Sequence, residues 1–439
     1  MIPRLQTLAV LACAALPAAG VLGSAALATP SSSTTRVSVN SNGVQGDGFS
    51  AVAAISADGR FVAFHSEAKN LVPGDTNGAF DVFVRDRKTG KTTRVSVNSH
   101  GKQGNGDSLF PSISADGRFV TFQSVATNLV GGDTNHAVDS FVRDRKTGKT
   151  ERVSVNSQGK QGDASSYTGA ISADGRFVAF PSQATNLVGG DTNDRGDVLV
   201  RDRETGKTTR VSVSSHGKQG NDSSSSASIS ADGRLVAFQS SASNLVGGDT
   251  NGAEDAFVYD RETGKTTRVS VDSQGAQANS GSDSYSASIS ADGRFVAFQS
   301  SARNLVAGDT RGVIDVFVRD LGSGKTTRVS VDSHGAQGNN NSSQASISAN
   351  GRYIVFHSTA SNLVGGDTNG RKDVFVRDRN ASTTRRVSVG LHGGAGNGVS
   401  ASGVVSGDGR FVAFHSTASN LVAGDTNGVL DVFVRPLQP

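Results

Sequence analysis

Acidic and amide side chains recur in this sequence at a spacing that suits a hard cation. A Gly-Asp-Thr tripeptide occurs seven times, with its aspartate at Asp75, Asp133, Asp191, Asp249, Asp309, Asp367 and Asp425. In six copies an asparagine and a second aspartate follow. The sets are Asp75, Asn77 and Asp81; Asp133, Asn135 and Asp139; Asp191, Asn193 and Asp197; Asp249, Asn251 and Asp255; Asp367, Asn369 and Asp373; Asp425, Asn427 and Asp431. Oxygen donors at positions 1, 3 and 7 of a glycine-containing loop are what calcium takes, so each set is a candidate calcium site. The same residue types also cap backbone N–H groups and build turns. The fifth copy tells the two apart: Arg311 replaces the asparagine while Asp309 and Asp315 persist. A guanidinium beside a cation is unfavourable, so persistence of the aspartates favours capping. Calcium is the only cofactor the sequence indicates.

Other chemistry is thinner. Gly106-Asp107-Ser108-Leu109 is similar to the nucleophile motif of GDSL esterases, and Asp133-Thr134-Asn135-His136 to their Asp-x-x-His. That family is α/β, whereas these stretches lie between predicted strands and neither recurs as a motif in other copies. Gly-Lys-Thr at Gly90, Gly206, Gly264 and Gly324 lacks the upstream glycine of a phosphate-binding loop. The eight histidines are not expected to cluster. His100, His216 and His334 share a repeat position that is Asn42, Gln158 or Gln274 elsewhere, as an exposed polar site would be. Lys and Arg number 43 against 39 Asp and Glu, with no long basic run, which excludes a nucleic-acid partner.

Residues 1–28 read as a secretory signal peptide. Arg4 precedes an apolar stretch from Leu8 to Leu27, and Ala26-Leu27-Ala28 offers small residues for cleavage. Pro17, Gly20 and Gly23 interrupt the stretch, which argues against a membrane anchor. Cys13, the single cysteine, follows Val10-Leu11-Ala12 in a pattern similar to a lipoprotein box, so a lipid-anchored form is the alternative. The mature chain is expected outside the cytoplasm, without disulfides or a membrane span.

The elements that position the loops follow from the repeat. Successive Gly-Asp-Thr aspartates are 58, 58, 58, 60, 58 and 58 residues apart, a period that signals stacked or radial units. In the first copy, small residues Ala53 to Ala57 suit an innermost strand, and Asp58-Gly59 turns into the apolar run Arg60 to Phe64. A long loop leads to Asp81 through Arg85. Thr89-Gly90-Lys91 then turns into Thr92 to Val97, which alternates polar and apolar. Small residues inside, bulky in the middle and polar alternation outside describe a wedge. Seven such wedges make an all-β, seven-bladed propeller with four-stranded antiparallel blades. The outer-strand motif appears early, within 34–40, and is missing after the seventh repeat. The N-terminal strand should therefore complete the last blade and leave no open edge. The repeats run roughly 41–98, 99–156, 157–214, 215–272, 273–332, 333–390 and 391–436, forming one domain over 29–439.

Ser114-Ala115-Asp116-Gly117-Arg118-Phe119-Val120 and its counterparts resemble the Ser-Pro-Asp-Gly repeat of TolB-type, WD40-like (PD40) propellers. Alanine stands for the usual proline, and Asn350 for aspartate in the sixth copy. The resemblance implies a propeller; the extra α/β domain of TolB and the catalytic domains of the prolyl-oligopeptidase and tricorn relatives are departures not expected here. The expectation is a secreted, monomeric, non-catalytic scaffold whose polar loop-rich rim meets a protein, peptide or cell-envelope polymer. A carbohydrate-binding propeller is the alternative, although Trp is absent. A hydrolase or lyase acting at the channel mouth ranks third.

Overall fold

The computed structural model describes residues 33–280 and 287–437, in which every regular element is a β-strand. The expected signal peptide with Cys13 and Ala28 lies outside the described residues. The strands form seven four-stranded antiparallel sheets, each in the order expected of a blade. Blade one comprises Ser50–Ile55, Phe61–Ser66, Asp81–Asp86 and Lys91–Arg94. In blade seven, Ser400–Val405, Phe411–Ser416 and Asp431–Pro436 are completed by Thr35–Arg36.

Local chemistry explains the blade. Phe61 to Phe64 is apolar on both faces because it lies between neighbouring sheets, and the Phe64 and Phe83 rings stack at 5.9 Å in its centre. The Asp58-Gly59 turn is held by Asp58 Oδ1, which accepts from the Ser56 hydroxyl at 2.7 Å and the Arg60 N–H at 2.9 Å. Gly59 has a φ of 72°, and a Cβ there would meet the Phe411 ring of blade seven at 2.2 Å. Glycine is thus required for both conformation and space. On the same face Arg60 grips Asp86 through two hydrogen bonds of 2.9 and 2.7 Å, and the Phe61 ring sits between Arg60 and Arg145, each 4.6 Å away.

Closure is as expected. Thr35 pairs with Val434 and Arg36 with Phe433, antiparallel. Val37 is buried with Val62 and Phe64 of blade one and Ala413, Val432 and Val434 of blade seven, so the terminal segment belongs to the core joining first and last blades.

Several strand boundaries differ from expectation. The outermost strand stops at Arg94 rather than Val97. The chain then turns inward, Val95 N–H bonding the Val82 carbonyl at 2.8 Å and the Ser96 hydroxyl bonding Asp81 at 2.5 Å. The innermost strand is Ser50–Ile55, not Ala53 to Ala57, and bulges between Ala51 and Ala54. At the bulge Val52 has a φ of 44°, and Phe110, Ser226, Gln344 and Ser402 repeat this left-handed conformation in other blades. The second strand also runs two residues further, to His65 and Ser66, which brings side chains to the loop-bearing face.

Candidate functional site

The Gly-Asp-Thr loops and the loops between blades do share one rim. Gln103 Nε2 donates to Asp75 at 3.2 Å, and Asn77 Nδ2 donates to the Gly104 carbonyl at 3.0 Å. The two aspartates of each set converge, but on a guanidinium. Arg94 lies 3.4 Å from both Asp75 and Asp81. Arg152 holds Asp133 and Asp139, Arg210 holds Asp191 and Asp197, Arg268 holds Asp249 and Asp255, and Arg386 holds Asp367 and Asp373. In blade five Arg328 meets Asp309 and Asp315, and in blade seven Arg36 reaches Asp425 and Asp431 from the other end of the chain.

This donor set does not fit calcium. Asp81 is the first residue of a strand rather than a loop ligand, with no exposed surface, and its Oδ1 is taken by Ser96. Asn77 Oδ1 accepts the Ala79 N–H, so its NH₂ end, not its oxygen, points at Asp81 Oδ2 at 3.2 Å. Asn135, Asn251, Asn369 and Asn427 likewise turn their NH₂ groups to Asp139, Asp255, Asp373 and Asp431, and Asn193 turns its own to the Gly220 carbonyl. Among the described residues no group of three or more His, Cys, Asp or Glu is disposed to hold a metal. Burial pushes the Asp81 carboxyl up to about 6, the Ser96 hydroxyl and Arg94 opposing that rise, and burial likewise raises Asp139, Asp197, Asp255, Asp315 and Asp431. The arginine partner belongs to the repeated Thr-Arg-Val-Ser-Val motif, whose spacing from the aspartates does not show the pairing.

The esterase-like residues are also dispersed. Ser108 begins the innermost strand of blade two, fully buried and bonded to Ser124 at 2.9 Å, while His136 lies in the outer loop.

Three of the eight histidines nevertheless fall in consecutive blades, although, among the described residues, not as a metal site. The penultimate position of the second strand is Gln123, Pro181, Gln239 and Gln299 in blades two to five, but His357, His415 and His65 in blades six, seven and one. Closure makes those three blades consecutive. Each ring accepts a bulge N–H from the next blade: Ser402 to His357 Nδ1 at 3.3 Å, Val52 to His415 Nδ1 at 3.4 Å, and Phe110 to His65 Nδ1 at 3.3 Å. With Nδ1 accepting, the neutral ring carries its proton on Nε2. Burial pushes His65 and His415 down to about 4 and His357 to about 3, with added repulsion from Lys372 on His357 and His415 and from His415 on both other rings. All three are therefore neutral at pH 7.

Beside His65 stands an aromatic group. Phe110 lies 5.5 Å from it, Phe80 5.7 Å and Phe49 6.4 Å. Phe110 is 46% exposed, and Val125 and Val399, at neighbouring positions of blades two and seven, are exposed too. Three of the five exposed large apolar side chains among the described residues thus lie along this arc, from blade seven to blade two. Grooves also open at the junctions between blades. One of 740 Å³ between blades two and three, lined by Thr134, Arg152 and Gln161, has counterparts of 510 and 520 Å³ at other junctions. Their lining repeats from blade to blade and is engaged in the capping and ion pairs above, so volume alone does not distinguish them.

No protein-family model and no curated protein matches the chain. Solved structures do. An oligogalacturonate lyase from Vibrio parahaemolyticus is 13% identical, with 92% of this chain and 93% of that chain covered at a TM-score of 0.54. The β-propeller domain of the Trilobed protease from Pyrococcus furiosus, described as having an open velcro topology, is 10% identical, with 88% and 95% covered at 0.52. A putative TolB from Agrobacterium tumefaciens, 15% identical, overlaps at 0.41 over 64% of this chain and 80% of that chain, too loosely to bear on function. The first two likenesses establish the fold, including its propeller class. They also correct the expectation of a non-catalytic scaffold. That expectation rested on the absence of an evident triad or carboxylate pair, yet a protein of the same fold, matched over nearly its whole length, is a lyase. Among the described residues no helix is long and apolar enough to cross a membrane.

Proposed function

We propose that this protein is a ligand-binding propeller whose site is the arc of the channel mouth running from blade six to blade two. The observation that carries the reading is the break in repeat symmetry. Where the ring needs a residue, every blade supplies the same one, as the Arg-Asp-Asp sets illustrate. The histidines do not meet a need of the ring, because Gln123 Oε1 accepts the Thr168 N–H at 3.1 Å and Gln299 Oε1 accepts the Gln344 N–H at 2.9 Å in the same role. Three imidazoles in consecutive blades, one of them beside an exposed phenylalanine, are therefore not required by the fold and mark this arc off from the rest of the ring. Aromatic faces with a few placed polar donors are the usual make-up of a binding site. The apolar segment Leu8 to Leu27 and the residues Ala26 to Ala28 support an exported protein, which puts the ligand outside the cytoplasm.

Crystals soaked with a library of small polar and aromatic fragments test the reading. Fragments should concentrate around Phe110, His65 and His415. A distribution confined to the outer grooves between blades, with the mouth empty, would show the arc to be inert.

A further inference from the structure

The arc is also asymmetric in charge. Lys372 is the blade-six counterpart of Phe80. The two backbones are placed alike, each carbonyl accepting from the first serine of the next innermost strand: Ser108 to Phe80 at 2.7 Å and Ser400 to Lys372 at 2.8 Å. Phe80 packs 5.7 Å from His65, and Lys372, at the same position in blade six, is close enough for its charge to act on His357. Other blades place Val138, Gly196, Glu254, Ile314 and Leu430 there, so the fold requires no cation.

Among the described residues no carboxylate forms an ion pair with Lys372. The carboxylates nearest the aromatic end, Glu67 and Asp107, accept the N–H groups of Phe49 at 3.2 Å and Phe80 at 2.9 Å. The matching positions at the other end are Asn341 and Thr359 in blade six and Val399 and Thr417 in blade seven. Asp373, adjacent in sequence, is buried and held by Ser388 and Arg386. His357 presents Nε2 to the Ser343 hydroxyl at 2.7 Å, extending the row of donors.

We propose that the blade-six end of the arc binds an anionic group, carboxylate or phosphate, on a ligand whose ring or apolar face lies over Phe110. This rests on the mouth being the ligand site. A cation among neutral N–H donors, with no carboxylate paired to it among the described residues, selects against neutral and positive ligands, as electrostatic complementarity requires.

The test is calorimetric titration with 8-phenyloctanoate, 8-phenyloctyl phosphate and the neutral 8-phenyloctanamide. Two variants use residues that other blades already carry: Lys372→Leu, as at Leu430, and Phe110→Ser, as at Ser226. At least one anion should bind about tenfold or more tightly than the amide, a difference typical of a charged hydrogen bond. Lys372→Leu should abolish that preference, and Phe110→Ser should weaken acid and amide alike. The stronger of the two anions identifies the headgroup. Equal binding of acid and amide, or an unchanged preference in Lys372→Leu, overturns the anion assignment while sensitivity to Phe110→Ser preserves the mouth as the site. If no probe binds, or Phe110→Ser leaves binding unchanged, the mouth itself is overturned and the anion assignment with it.

Discussion

Replacing His65, His357 and His415 together by glutamine should make the protein resistant to mild acid. Each imidazole is buried and neutral, with its affinity for protons lowered to about 4, 3 and 4 respectively. In the unfolded chain the same groups protonate near 6.5. Below that pH the unfolded state binds more protons, so stability is complete above about 6.5 and falls as pH drops toward the folded values. Between pH 8 and pH 5 each histidine should remove about 2 kcal/mol, or roughly 6 kcal/mol for three acting independently. That is comparable with the whole stability of many domains. Glutamine keeps the inter-blade bond, as Gln123 and Gln299 show, and does not titrate. The buried aspartates, whose raised affinities have the opposite sign, are present in both proteins and cancel in the comparison. Urea denaturation of both proteins at pH 8 and pH 5 measures the effect. Equal losses in the two would refute the claim that these rings are held neutral by burial.

Removing residues 33–40 should lower stability by roughly 5 kcal/mol, from the lost burial of Val37 and Val39 and the exposure of Asp431 without Arg36 or Ser38. A melting temperature equal to that of the intact chain would show that closure contributes nothing. Arg94→Met should cost about 3–5 kcal/mol at pH 7 by leaving Asp75 and Asp81 facing each other. The deficit should shrink at pH 5, because Asp81 takes up a proton near 6, and denaturation at the two pH values reads both numbers. Calcium titrated into chelator-treated protein should give no heat and no shift in melting temperature, since arginine already supplies the positive charge; saturable heat would restore the Asp75, Asn77 and Asp81 sets as ligands.

Architecture was largely legible in the sequence because a propeller blade is a local object. Strand, turn and strand succeed one another within about sixty residues, so periodicity exposes the unit, and the displaced outer-strand motif near Thr35 discloses the closure. Strand order alone puts the Gly-Asp-Thr loops and the loops between blades on one rim. The chemistry of the loops was less legible. Asp75, Asn77 and Asp81 have the spacing of cation ligands, but spacing does not reveal which end of an amide faces inward, nor that Arg94 swings in from the outermost strand to fill the gap.

The sequence by itself determined seven wedges, their four-strand order and the joining of the chain ends, since each depends on contacts between near neighbours or on one repeated motif. Only the tertiary structure decided that His65, His357 and His415 are neighbours. They lie far apart along the chain, and the ring brings blade seven beside blade one. An arc of diverged residues is a property of angular position around the axis, which linear order records only once the circle is closed.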